Sequence, residues 1–207
     1  MSAARRGAAG ADADMTKERL LAYTDAVIAI AITIMVLELR PPHEATFEAL
    51  GEVVPIFLSY VLSFIYISIY WNNHHHMFHL VEHVTGGVLW ANMHLIFWLS
   101  LVPFTTAWMD ETHAEALPVA VYGFSLLMPA IAYFILQRVL IHAQGEGSPL
   151  AAALGADLKG KLSPVLYVAA IALAFVSTWI SIALYVLVAL IWLVPDRRVE
   201  RHIAAHR

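Results

Sequence analysis

The chain of 207 residues contains no cysteine, which removes disulfide staples and thiolate metal sites from consideration at once. It is also poor in charge: 14% of its residues are Asp, Glu, Lys or Arg against 60% hydrophobic, with a mean hydropathy of +0.70. That balance suits an integral membrane protein, not a soluble domain. A net charge of -4 is too mild to imply a nucleic-acid partner. No Gly-rich phosphate loop, Ser-His-Asp order or basic nucleic-acid patch is found. A cleavable signal is missing too, because the first apolar run is too long, contains Asp25 and leads into Arg40, Pro41 and Pro42, not into a small-residue cleavage pattern. The opening stretch MSAARRGAAGADAD is Ala-rich and of low complexity, so residues 1–16 are expected to be a disordered tail.

What the chain does have is long apolar runs. Ala22 to Leu39 carries only two acids, Asp25 and Glu38, and at about 1.5 Å per residue it nearly crosses a bilayer core. Pro41 and Pro42 stop it, and His43 to Glu52 reads as an acidic solvent loop. Val53 to Trp71 and Val84 to Met109 are uncharged runs, with Trp90 and Trp108 as interfacial anchors of the second. Ala116 to Gln137 follows, then a Gly-, Ser- and Lys-containing loop from Ala143 to Lys161. Leu162 to Pro195 is uncharged over 34 residues, too long for one span of about 20, so two short helices are expected to meet near Ser177, Thr178 and Trp179.

Charge decides the count. With six spans, one side holds Arg5, Arg6, Lys17, Arg19, Arg138, Lys159, Lys161, Arg197, Arg198, Arg201 and Arg207, while the opposite loops hold only Arg40. By the positive-inside rule both termini are then cytoplasmic. The expectation is an all-α integral membrane protein with six transmembrane helices in residues 17–195, at about 19–40, 53–78, 84–109, 116–141, 162–177 and 179–195, and a basic cytoplasmic tail over 196–207. The outer loops carry Glu44, Glu48, Glu52, Asp110, Glu111 and Glu115, and a negative outer face raises the local cation concentration.

On a helix Ile30, Ile34 and Leu37 fall within about 60° of one another, with Thr33 at the edge of that stripe. Ala22, Ala26 and Ala29 lie beside it, a small-residue seam where another helix can approach closely. Asp25 points roughly 130° away from Ile30. A charge in hydrocarbon costs on the order of 3 kcal/mol or more, so Asp25 is expected to be buried in protein. A helix held there can still turn its stripe to a central axis in an oligomer, where aliphatic side chains form a hydrophobic constriction.

Three motifs carry a resemblance. Arg19-Leu20-Leu21-Ala22-Tyr23-Thr24-Asp25 resembles the Arg-x-x-x-Phe-Ser-Asp signature opening the first helix of the transmembrane protein 175 family, the lysosomal and bacterial potassium channels. It departs at Tyr23 and Thr24, keeping an aromatic ring and a hydroxyl. Tyr70-Trp71-Asn72-Asn73-His74-His75-His76-Met77-Phe78 is similar to the family's Trp-x-x-His-His-x-x-Phe pattern, and Pro103-Phe104-Thr105-Thr106 resembles its Pro-Phe-x-Thr. The resemblance implies a bacterial type of channel, one six-helix unit per chain assembled as a homotetramer, with the pore lined by the first helix. It implies a narrowest ring at Ile30, further layers at Thr33, Ile34 and Leu37, and no carbonyl filter; no Thr-Val-Gly-Tyr-Gly run occurs here. It also implies a buried polar network joining Arg19 and Asp25 to neighbouring helices, with Trp71, His75, Asn92 and His94 as this chain's candidate partners.

Two rival readings stand beside the channel. His75, His79 and His83 recur at four-residue spacing with His74 and His76 flanking them, and imidazoles at i and i+4 can share a metal. A membrane metalloenzyme of that kind needs several separated clusters, whereas outside this one only His94 lies within a span. A secondary transporter would show Gly/Pro-interrupted helices in corresponding halves, and Pro129 and Pro103 do not form such a pair. The expectation is a potassium-conducting homotetramer of the bacterial inner membrane, modestly selective over sodium, with no catalytic site, metal or cofactor.

Overall fold

The computed structural model describes residues 16–81, 83–145, 148–154 and 158–193, so the tail expected over 1–16 lies almost wholly outside them and the basic tail over 196–207 entirely so. Every regular element among the described residues is helical: α1 (Lys17–Leu37), α2 (Phe47–His79), α3 (Gly86–Ser100), α4 (Val102–Glu111), α5 (Ala116–Gln144), α6 (Pro149–Leu154), α7 (Leu158–Leu173) and α8 (Thr178–Leu193).

Local chemistry sets the ends. Thr16, Thr46 and Thr85 sit in extended conformation before α1, α2 and α3, each accepting a hydrogen bond from the backbone N–H three residues on, the usual satisfaction of an orphan donor at a helix start. The Thr46 cap explains a departure from the sequence reading. Residues 47–52, expected in a solvent loop, form the first turns of α2, where Glu48 suits the positive helix terminus. At 33 residues, and about 1.5 Å each, α2 is far longer than a bilayer core is thick.

The run expected as one helix over 84–109 is broken at Leu101, with Pro103 in the first turn of α4. Pro103 has no N–H and its ring collides with the carbonyl four residues back, so the helix restarts there. Residues 143–161, expected as a loop, contain α6 and the start of α7. The break foreseen near 177–179 falls at 174–177, between α7 and α8.

Among the described residues four stretches are long and apolar enough to cross a membrane: Lys17–Leu37, Phe47–His79, the α3–α4 run Gly86–Glu111, and Ala116–Gln144. α7 and α8 have 16 residues each, about 24 Å, shorter than a straight crossing needs.

The helices pack around two centres. In the first, Leu20, Ile28, Ala31 and Met35 of α1 meet Ile67 and Phe78 of α2, Leu95 and Leu99 of α3, and Leu136 and Leu140 of α5. The second gathers Tyr66, Tyr122, Tyr167, Tyr185 and Val188 from α2, α5, α7 and α8. Here Gly123 lets α8 close on α5, because a Cβ at that position would overlap the Tyr185 hydroxyl and ring. That hydroxyl donates to Val119 O at 3.1 Å. α1 therefore leans on one side of the bundle, and α7 and α8 close the other.

Candidate functional site

The site grows from the two faces of α1. Leu20, Thr24, Ile28, Ala31 and Met35 are buried, and at the helical period they fall within an arc of about 80°. Leu21, Val27 and Ile32 flank that arc half-buried, and the remaining circumference is exposed on the single chain. Going round from the buried arc come Asp25, then Ala29, Ala22 and Ala26, then Leu37, Ile30 and Ile34, all exposed. Leu37 is 79% exposed, Ile30 58% and Ile34 45%, values far too high for a core stripe. Thr33 is exposed too, and its hydroxyl donates to Ile30 O at 2.9 Å. The hydroxyl proton is thus spent on the backbone, which leaves the oxygen lone pairs facing outward.

The buried face is locked by a directional chain of hydrogen bonds. His74 Nε2 meets Asn92 Oδ1 at 2.8 Å, and since a carbonyl oxygen only accepts, that nitrogen carries the proton. Asn92 Nδ2 donates to Thr24 Oγ1 at 2.8 Å, and Thr24 Oγ1 donates to Leu20 O at 2.9 Å. His74 is 2% exposed, Asn92 and Thr24 0%, so three helices are joined through polar groups that water does not reach. Lys17 Nζ adds a tie from the start of α1 to Val81 O, at 2.8 Å, just after α2.

Asp25 is joined differently. Trp71 Nε1 donates to Asp25 Oδ1 at 2.9 Å, yet both residues are exposed on the subunit. The expectation that this carboxylate is enclosed by protein is therefore not met within one subunit. His75 is exposed as well; it stacks on Trp71 at 5.9 Å between centroids and meets His79 edge-on at 4.8 Å. His94 stands edge-on to Trp98 at 6.3 Å and forms no hydrogen bond with α1 or α2 among the described residues. Arg19 and Tyr23 are exposed, and Arg19 takes part in the Thr16 cap only through its backbone.

The structure thus brings Thr24, Asn92, Asp25 and Trp71 together as two separate links and leaves His75 and His94 out of the buried one. His74 takes the place expected of them. The phase of α2 points to it: Ile67, His74 and Phe78, all buried, follow the seven- and four-residue steps of one helix face. Among the described residues no three His, Asp or Glu side chains gather as a metal site, and the run His74 to His79 spreads over several faces of α2.

Comparison with known proteins gives a consistent result. Residues 19–103 match the family model described as endosomal/lysosomal potassium channel TMEM175, a segment that holds the first two motifs and ends on the first residue of the third. A curated potassium channel of Chryseobacterium sp. (strain P1-3) is 51% identical over 187 residues, which is 90% of this chain and 97% of that protein. The crystal structure of a lysosomal potassium-selective channel TMEM175 homolog from Chamaesiphon minutus superposes with a TM-score of 0.71 at 29% identity, covering 85% of this chain and 95% of that one. The endosomal/lysosomal proton channel TMEM175 of Gallus gallus is 25% identical over 131 residues, 61% of this chain and 25% of the longer animal protein.

Proposed function

This multi-pass membrane chain belongs to the TMEM175 family of ion channels, which are not enzymes, and on that premise we propose that it conducts potassium along an axis lined by α1. Four copies assemble around that axis in the bacterial inner membrane. Each contributes six spans: α1, α2, the α3–α4 run, α5, and the shorter α7 and α8. Both termini lie in the cytoplasm, an orientation supported by the concentration of Arg138, Lys159 and Lys161 on one side.

The observation that carries the reading is the uncovered arc of α1. Its Ile30, Ile34 and Leu37 stay 45% to 79% exposed within one chain, while the opposite face is fixed by the His74–Asn92–Thr24 chain. Rings of these aliphatic side chains form the constriction, and a closed state needs only that they approach until water leaves. Thr33 supplies outward oxygen acceptors near the narrowest layer. A path of this kind strips ions less completely than a cage of carbonyls, so preference for potassium over sodium is modest. Asp25, Trp71 and His75 meet a neighbouring copy, which provides the enclosure that one subunit lacks.

Flux into protein-containing liposomes under a potassium gradient tests this, with sodium and caesium gradients beside it and a pH-sensitive dye to report proton entry, the permeant of the animal relatives. A passive leak driven by voltage, with potassium faster than sodium, is the expected result. Flux that stops unless a second solute moves with it would make the protein a coupled transporter instead.

A further inference from the structure

On the side of α5 turned away from α1 lies a groove that conduction does not use. α5 buries Ala132, Leu136 and Leu140 in the packing centre shared with α1. Its opposite face, with Ile131, Phe134, Arg138 and Ile141, lines a cavity of about 390 Å³ shared with Lys161 and Pro164 of α7. The lining is largely apolar, yet it carries two exposed cations, and among the described residues no acid pairs with either. The guanidinium of Arg138 stands 4.9 Å over the Phe134 ring, which holds it along the groove. The neighbouring acids of the sequence, Glu146 and Asp157, lie outside the described residues.

A second observation points to an occupant. Gln137 lines this cavity and a smaller one of about 40 Å³ that adjoins it. Its residue is only 7% exposed, and its side chain borders both cavities. Gln137, Arg138 and Lys161 together offer donors and two positive charges at one end of an apolar slot. An amphiphile with an anionic, hydrogen-bond-accepting head and an aliphatic tail satisfies all of them.

We infer that the α5–α7 groove binds an anionic glycerophospholipid, its phosphate taken by Arg138, Lys161 and the Gln137 amide and its acyl chain lying along Ile131, Phe134 and Pro164. The end of α5 and the start of α7 are on the side rich in Lys and Arg, the cytoplasmic leaflet by the positive-inside rule. Basic pockets between spans on that side suit such headgroups. A free phosphate ion would satisfy the cations but leave the apolar lining without a partner.

The test uses the purified full chain in detergent and needs no current. Thermal midpoints are measured against rising phosphatidylglycerol, phosphatidylcholine and inorganic phosphate. Phosphatidylglycerol is expected to raise the midpoint saturably, with the other two much weaker. Each of Arg138→Gln and Lys161→Gln should weaken the apparent affinity about fivefold, and the pair on the order of 25-fold, at the usual strength of one cation near an anionic lipid. Gln137→Leu, close in volume, should weaken it further without lowering the lipid-free midpoint. Equal response to both lipids, or wild-type affinity in the paired variant, overturns the inference. Phosphate alone matching phosphatidylglycerol makes this a soluble-anion site and overturns the lipid assignment. Should Arg138→Gln fail to fold, Lys161→Glu, at an exposed position, decides the matter alone.

Discussion

Replacing Asn92 by Ala separates the buried polar chain from the packing around it. The side chain is wholly buried and makes two bonds of 2.8 Å, so both are lost together. Their consequences differ. Thr24 Oγ1 still donates to Leu20 O, so it keeps a partner, whereas the His74 Nε2 proton is left without an acceptor at 2% exposure. An orphaned buried donor costs about 1–3 kcal/mol, and deleting a buried amide without collapse adds about 1 kcal/mol of lost contact. The expected total is about 2–4 kcal/mol, larger than the roughly 0.6 kcal/mol average coupling of a single interhelical bond in membranes. Most of that loss comes from stranding the His74 proton, and little of it from the bond itself. Asn92→Leu combined with His74→Phe removes both polar ends and should therefore recover more than half of the loss. Thermal midpoints in detergent, with resistance to added denaturant as a second readout, measure both variants. A midpoint unchanged in Asn92→Ala, or a double variant no better than the single, would refute this account of how α1 is held.

Ile30→Asn should wet the proposed ring, raising potassium conductance and eroding preference over sodium; unchanged currents in a planar bilayer would remove Ile30 from the conduction path. Asp25→Ala changes only an exposed contact of the subunit, so the tetramer fraction by light scattering should fall. Normal tetramers that carry no current would make Asp25 a conduction residue instead. Gly123→Ala drives a methyl into Tyr185 and Ile171 and should cost about 1–3 kcal/mol of stability by overpacking, read as a lower thermal midpoint with the potassium-to-sodium ratio unaltered.

The helices were legible in the sequence because long uncharged runs leave the chain few alternatives in a membrane. Their limits were less so. Thr46 and Pro103 each moved a boundary through chemistry confined to one residue: a cap that begins α2 before its apolar run does, and a ring that interrupts a run of uniform hydropathy. α6 was missed since six residues are too few to show a period. On α1 the outward stripe was readable from spacing alone, and Thr24 from its place in the signature. The choice among three consecutive histidines was not, because His74, His75 and His76 have the same composition and only the phase set by Ile67 and Phe78 separates them. Asp25 is a different case: on the single chain it is exposed. Its burial depends on what lies beyond the subunit, and no pattern within one chain states where a neighbouring copy stands.

That dependence bears on why α1 should face copies of itself and not lipid. A lipid-facing arc of aliphatic residues would need no further explanation, but this arc begins with a carboxylate whose only described bond is one donated by Trp71. Leaving it against acyl chains costs on the order of 3 kcal/mol per subunit or more, and a ring of subunits multiplies that. Beyond Asp25 come three exposed alanines, which gain little from lipid but allow close approach of a backbone. Only past them do Leu37, Ile30 and Ile34 appear. A closed cyclic assembly asks each copy for two unlike contact faces and leaves a third toward the axis. In the proposed assembly α1 would offer a face fixed within its own chain, an acid-and-alanine face for the next copy, and an aliphatic face that both contacts turn inward.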